Sequence, residues 1–103
     1  MAVRVPSNSK VRWRDSLRGM KPQAQVVGYW LIEQADADGI VDGVDWQRLA
    51  EDTGITVTTL RKELKEGQLI LSGKVEREPR RWGNTFGATR YILHIDEQKG
   101  DST

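Results

Sequence analysis

Residues 49–64 read LAEDTGITVTTLRKEL, and the placement of Ala50, Gly54, Ile55 and Leu60 within them decides the fold. Two short helices crossing at a sharp turn need a small residue where they meet and a residue tolerant of positive φ in the turn. They also need aliphatic residues that lock the pair together. The four residues supply these in order. Asp45 is a natural N-cap for the first helix, which contains Trp46, Leu49 and Ala50. Thr53-Gly54 breaks that helix and Thr56 caps the next, in which Leu60 and Leu64 face inward and Arg61, Lys62 and Lys65 face out. Gly67 is its expected stop.

Upstream, Pro22 suits the first turn of a helix running to about Ala35. Val26, Val27, Trp30, Leu31 and Gln34 follow the spacing of a buried stripe, broadened by Tyr29 and Ile32. ADADG, residues 35–39, ends it with turn chemistry, and Ile40 to Val44 is long enough for a tiny strand. Downstream the period changes to two. Leu69 to Glu78 and Ala88 to Ile95 read as strands, the second with Tyr91, Leu93 and Ile95 on one face. PRRWGNTFG, residues 79–87, carries the Gly and Asn signals of a hairpin tip. The fold class is therefore α+β, in the order helix, short strand, helix, helix, hairpin. Val11 to Met20 can form a short amphipathic piece, whose Trp13 and Leu17 serve either a dimer contact or their own core. The expected organisation is a basic N-terminal arm over 1–21, with residues 1–11 flexible, a folded domain over 22–95 and a flexible tail over 96–103.

A chain of 103 residues with 37% hydrophobic content supports one modest core. It contains no Cys, so disulfides and thiolate metal sites are excluded. No apolar run approaches the roughly 20 residues that cross a bilayer, and no signal peptide is visible, so a cytoplasmic protein is expected. The net charge of +1 hides an uneven distribution. Residues 1–25 hold six Lys/Arg against Asp15, residues 26–55 hold Arg48 against seven acids, and residues 56–95 hold eight basic residues against four acids. Two basic segments flanking an acidic one allow a basic face for a polyanion and an acidic face for water.

A helix pair of this kind can set its second helix into the DNA major groove. The outward side chains near the N-terminus of that helix would then meet base edges. Here those are Val57, Thr58, Arg61 and Lys62. In order and spacing, the helix ending in ADADG, the run DWQRLAEDTGITVTTLRKEL, then GQLI and a hairpin closing on ATRYILHI resemble winged helix-turn-helix domains. The similarity is to those of replication and regulatory proteins of actinobacterial plasmids and phages, and it covers roughly Pro22 to Ile95. It implies a three-helix core with a small β-hairpin wing, a recognition helix at Thr56 to Glu66 and a wing around Pro79 to Thr89. Glu63 departs from the pattern, since such domains commonly hold a small or apolar residue there.

On this reading the partner is double-stranded DNA, bound by a regulator or by a factor in plasmid or phage replication, partition or excision. Lys10, Arg12, Arg14, Thr56, Lys65, Arg77, Arg80, Arg81, Asn84, Thr85 and Arg90 are the expected contacts to the backbone and minor groove. A homodimer or a tandem assembly on repeated sites would help affinity. The alternative is a winged-helix module that binds protein, with the acidic segment Glu33 to Asp52 as its contact face.

No catalysis, cofactor, metal or small-molecule ligand is expected. DADGIVDGVDWQ begins like a calcium loop, but its fifth position is Ile40 and its twelfth Gln47, so the oxygen cage cannot close. His94 is the only histidine and lacks a Cys or second His as partner. GNTFG lacks the lysine of a phosphate loop, and no nucleophile stands in a recognisable triad setting.

Overall fold

The computed structural model describes residues 5–78, 81–82, 85–86 and 89–95. Their order is α1 (Ser7–Ser16), α2 (Pro22–Gln34), β1 (Ile40–Asp42), α3 (Trp46–Thr53), α4 (Val57–Glu66), α5 (Gln68–Leu71), β2 (Val75–Glu78), β3 (Arg81–Trp82), β4 (Thr85–Phe86) and β5 (Arg90–Leu93). The fold is α+β, with helices packed on a three-stranded antiparallel sheet of order β1-β5-β2. Strands β3 and β4 form a separate two-stranded hairpin, with Arg81 opposite Phe86 and Trp82 opposite Thr85. No helix among the described residues is long and apolar enough to cross a membrane.

The α3–α4 turn forms as the residue types demand. Asp45 caps α3 by accepting from the Arg48 amide at 3.1 Å, and Thr56 caps α4 by accepting from the Thr59 amide at 3.3 Å. Gly54 ends α3 at φ 74°, a left-handed conformation that strains any residue with a Cβ, and its amide reaches back to the Ala50 carbonyl. Leu49, Leu60 and Leu64 are fully buried between the two helices and the rest of the core, with Ala50 and Ile55 packed against them.

Helix α2 is the hub, and its buried face differs from the stripe read off the sequence. Ala24, Val27, Gly28, Leu31 and Ile32 are buried, whereas Val26, Tyr29 and Gln34 are exposed and Trp30 is half-buried. The cause is α1. The expected flexible start is instead helical from Ser7, and Trp13 and Leu17 go into the domain's own core. The buried Trp13 indole N–H donates to the Gly28 carbonyl at 2.9 Å, and a Cβ on Gly28 would lie 2.5 Å from the Leu17 Cδ1. Gly28 thus lets α1 close onto α2, and this rotates the buried face toward positions 24, 28 and 32. On another side, the Trp30 indole N–H donates to Asp52 at 2.8 Å and ties α2 to α3.

Residues after Gly67 also depart from expectation. The strand predicted from Leu69 begins only at Val75, because Gln68–Leu71 form one helical turn, α5. Gly67 is in extended backbone and leads straight into this turn, which buries Leu69 completely. The Gln68 carboxamide accepts from the Lys21 amide at 2.9 Å and so anchors α5 to the start of α2. A run of three aliphatic residues satisfies strand and helix patterns alike, and here packing chose the helix.

Strand β5 alternates as expected, with Tyr91 and Leu93 buried. Val41 and Arg77 flank Tyr91 from β1 and β2, and Asp42 and Glu78 flank Arg90. The predicted tail, residues 96–103, lies outside the described residues, as do residues 1–4 of the expected arm.

Glu63 is the one buried charged-type residue in the described core, 7% exposed. Its Oε1 accepts from the Gln23 carboxamide at 3.0 Å, while Oε2 is buried without a hydrogen-bond partner. An unsatisfied buried acceptor carries a desolvation penalty of about 1–3 kcal/mol. Replacing Glu63 by Leu, which removes the orphaned oxygen, is expected to raise the unfolding free energy by about 1–2 kcal/mol in urea titrations. A drop instead would mean that the bond to Gln23 outweighs the burial.

Candidate nucleic-acid interface

Helix α4 presents two outward rows, each spaced by four residues. Thr58 and Lys62 form one row, beside Gln23, Glu66 and the edge of Glu63. Arg61 and Lys65 form the other, turned toward the sheet. All four are exposed, whereas Val57 is half-buried. The Thr56 hydroxyl, expected on a phosphate, is used in the cap and also donates to the Thr59 hydroxyl at 2.9 Å.

The Arg61–Lys65 row borders a cleft of about 340 Å³ between α4 and the sheet, lined by Val44, Trp46, Arg61, Lys65, Arg77, Thr89 and Tyr91. The Arg61 guanidinium lies over the Trp46 ring, 5.0 Å from its centroid. Trp46 meets the Tyr91 ring edge-on with centroids 6.4 Å apart. Arg77 arrives from β2, directly opposite Tyr91 in the ladder. Burial pushes the Tyr91 phenol up in pKa, against the opposing pull of Arg77 at its hydroxyl and of Arg61. The phenol therefore stays neutral and leaves the cleft cationic.

The basic residues divide sharply by partner. Lys10 and Arg14 on α1 both pair with Glu33 on α2, Lys10 at 3.1 Å. Lys10 chiefly, together with Arg14, holds the Glu33 carboxyl below its ordinary pKa. Arg90 lies across from Glu78, to which its Nε donates at 2.7 Å, and Glu78 strengthens its hold on the proton. Arg48 pairs with Asp52 at 3.3 Å. By contrast, Arg61, Lys62, Lys65 and Arg77 make no ion pair with a carboxylate among the described residues. Arg12 on α1, Lys21 and Lys74 likewise make no ion pair there.

Of the expected contacts, the structure thus brings together Arg61, Lys65 and Arg77. It keeps Thr58 and Lys62 on the adjacent row and engages Lys10, Arg14 and Arg90 in ion pairs. Arg81 and Thr85 stand on β3 and β4, and Arg80 and Asn84 lie outside the described residues. Trp46, Thr89 and Tyr91 were not singled out from the sequence as site residues. The inward alternation of β5 marks Tyr91 as buried, but only tertiary packing sets Trp46 under Arg61, fifteen residues away.

The acidic segment is largely spent on local structure. Asp36 accepts from the Asp38 and Ile40 amides at 2.9 and 3.0 Å, Asp45 caps α3, and Asp52 holds Trp30 and Arg48. In comparisons with known proteins, the chain matches no family model, no curated protein and no solved structure.

Because its pKa is lowered by folding, Glu33 contributes stability that is present above its unfolded pKa, near 4.5, and is lost as pH falls through the folded value. The carboxylate is about half exposed, so the contribution is small. Glu33→Gln is expected to lower stability by roughly 0.5 kcal/mol at pH 7 and to matter progressively less as the pH falls below about 4.5. Urea melts across that range check both the size and the sign.

Proposed function

We propose that this protein is a winged helix-turn-helix DNA-binding protein that recognises a specific double-stranded sequence and performs no chemistry of its own. Helix α4 is the recognition helix, and the β2–β5 sheet with the β3–β4 hairpin is the wing. The observation that carries this reading is the concentration of unpaired cations. Arg61, Lys62, Lys65 and Arg77 face solvent without carboxylate partners among the described residues, while Lys10, Arg14, Arg48 and Arg90 are neutralised elsewhere. Like charges left together repel one another, and a polyanion relieves that repulsion by releasing its own counterions.

The capped N-terminal half of α4 would enter the major groove with Thr58 and Lys62 at base edges, and the hairpin would follow the backbone into the neighbouring minor groove. A regulator, or a factor in a plasmid or phage DNA transaction, would use such a module to mark a site. Dimers or tandem copies on repeated sequences would supply the area that one module lacks.

The direct test is recovery of genomic fragments by the purified protein at about 150 mM salt under excess random competitor, a condition that suppresses phosphate-only binding. Enrichment of a shared motif is the expected outcome, and uniform recovery would reject sequence-specific binding. On the selected site, Lys62→Ala is expected to cost about 1–3 kcal/mol and to relax specificity at one position. An equal loss on random duplex would remove Lys62 from base reading.

A further inference from the structure

The cleft between α4 and the sheet has features that a merely solvated basic surface lacks. Three cations from two elements converge on it, Arg61 and Lys65 from the helix and Arg77 from β2, and among the described residues that line it none is acidic. Two of its walls are aromatic and fixed. Trp46 packs against the core and stands edge-on to Tyr91, itself 2% exposed. An arginine stacked on an aromatic ring keeps its fork of N–H donors in plane and free at the edge, and loses less rotational freedom when a ligand arrives. A concave, low-dielectric wall lined by one sign of charge also focuses its field into the opening.

Such a group of donors fits a tetrahedral phosphate oxyanion, singly charged as a backbone diester or dianionic as a terminal phosphate. A guanidinium on each side can pair with its oxygens, a lysine ammonium acts as a point charge between them, and the Thr89 hydroxyl is at hand. We propose that the cleft is a seat for one phosphate group. In the DNA complex this would be the phosphate of the strand that divides the major groove, occupied by α4, from the minor groove, followed by the hairpin. That placement rests on the DNA-binding reading, whereas the chemistry of the seat does not. Arg61 then clamps the backbone rather than reading a base, and base reading falls to Thr58 and Lys62. The same seat would accept the phosphate of a free phosphorylated small molecule, so the source of the phosphate is an experimental question.

The experiment follows the Trp46 indole N–H resonance by NMR, assigned by its loss in Trp46→Phe. The full chain is titrated at low salt with inorganic pyrophosphate and, separately, with a duplex of about 20 base pairs. Both titrations are repeated on a Lys65→Ala, Arg77→Ala double variant, whose two changes lie on exposed side chains and whose fold is checked by its thermal melt. The expected result is that the duplex shifts the Trp46 signal in the natural protein but not in the variant. The variant should bind specific and random duplex about tenfold or more weakly, with a log–log salt slope smaller by about two.

If no duplex binds but pyrophosphate shifts Trp46 saturably in the natural protein alone, the seat stands, its ligand is a free phosphate compound, and the DNA reading fails. If duplex binds with Trp46 unmoved and equal affinity for the variant, the seat is overturned while the DNA reading survives. If neither probe moves Trp46, or both move it equally in the variant, the seat is overturned.

Discussion

Strand β5 lies between β1 and β2, and most of the architecture follows from that insertion. β1 precedes the helix pair in sequence and β2 follows it. The last strand, pairing antiparallel with both, joins the two in one sheet. The register places Tyr91 between Val41 and Arg77 and brings its ring edge-on to Trp46 at the start of α3. This aromatic contact joins the start of α3 to the sheet, and Arg61 of α4 lies over the same Trp46 ring, beside the cleft that Lys65 and Arg77 also line.

The charges show two different uses of the same residue types. Where a carboxylate and a cation stand on adjacent elements, as with Glu33 and the α1 pair Lys10 and Arg14, they fasten α1 to α2 at the surface. Each such exposed pair contributes little by itself, so burial of Trp13 and Leu17 has to carry the docking of that helix. Where cations stand together without partners among the described residues, beside α4 and β2, they add nothing to stability and leave a cationic surface. A net charge near neutral is thus no argument against a polyanion partner, because pairing removes basic residues from one part of the surface and leaves them on another.

Glu63 and Gly28 show what local pattern cannot convey. Glu63 on α4 is buried, with one oxygen satisfied by Gln23 and the other without a partner among the described residues. Gly28 reads in sequence as a weak point in a helix. In the structure it is the place where a Cβ would force the Leu17 side chain to shift and where the Trp13 indole finds its acceptor. Neither fact has a signature at helical spacing, because each is set by a residue 11 to 40 positions away.

What the sequence determined by itself was the local chemistry. Asp45 and Thr56 as caps, Gly54 as the left-handed turn, Leu60 and Leu64 as the inward row of α4, and the alternation of Tyr91 with Leu93 were all legible, because each depends on neighbours within a turn or a pleat. The outward rows of α4, and hence four of the candidate contacts, followed from the same periodicity. Tertiary structure alone decided that residues 7–16 join the core as a helix, that the buried stripe of α2 turns toward Gly28, and that residues 68–71 coil rather than extend. It also decided which cations are neutralised and which are left exposed. Burial, close approach and ion pairing are properties of residues brought together across the chain, and no window of sequence contains both partners.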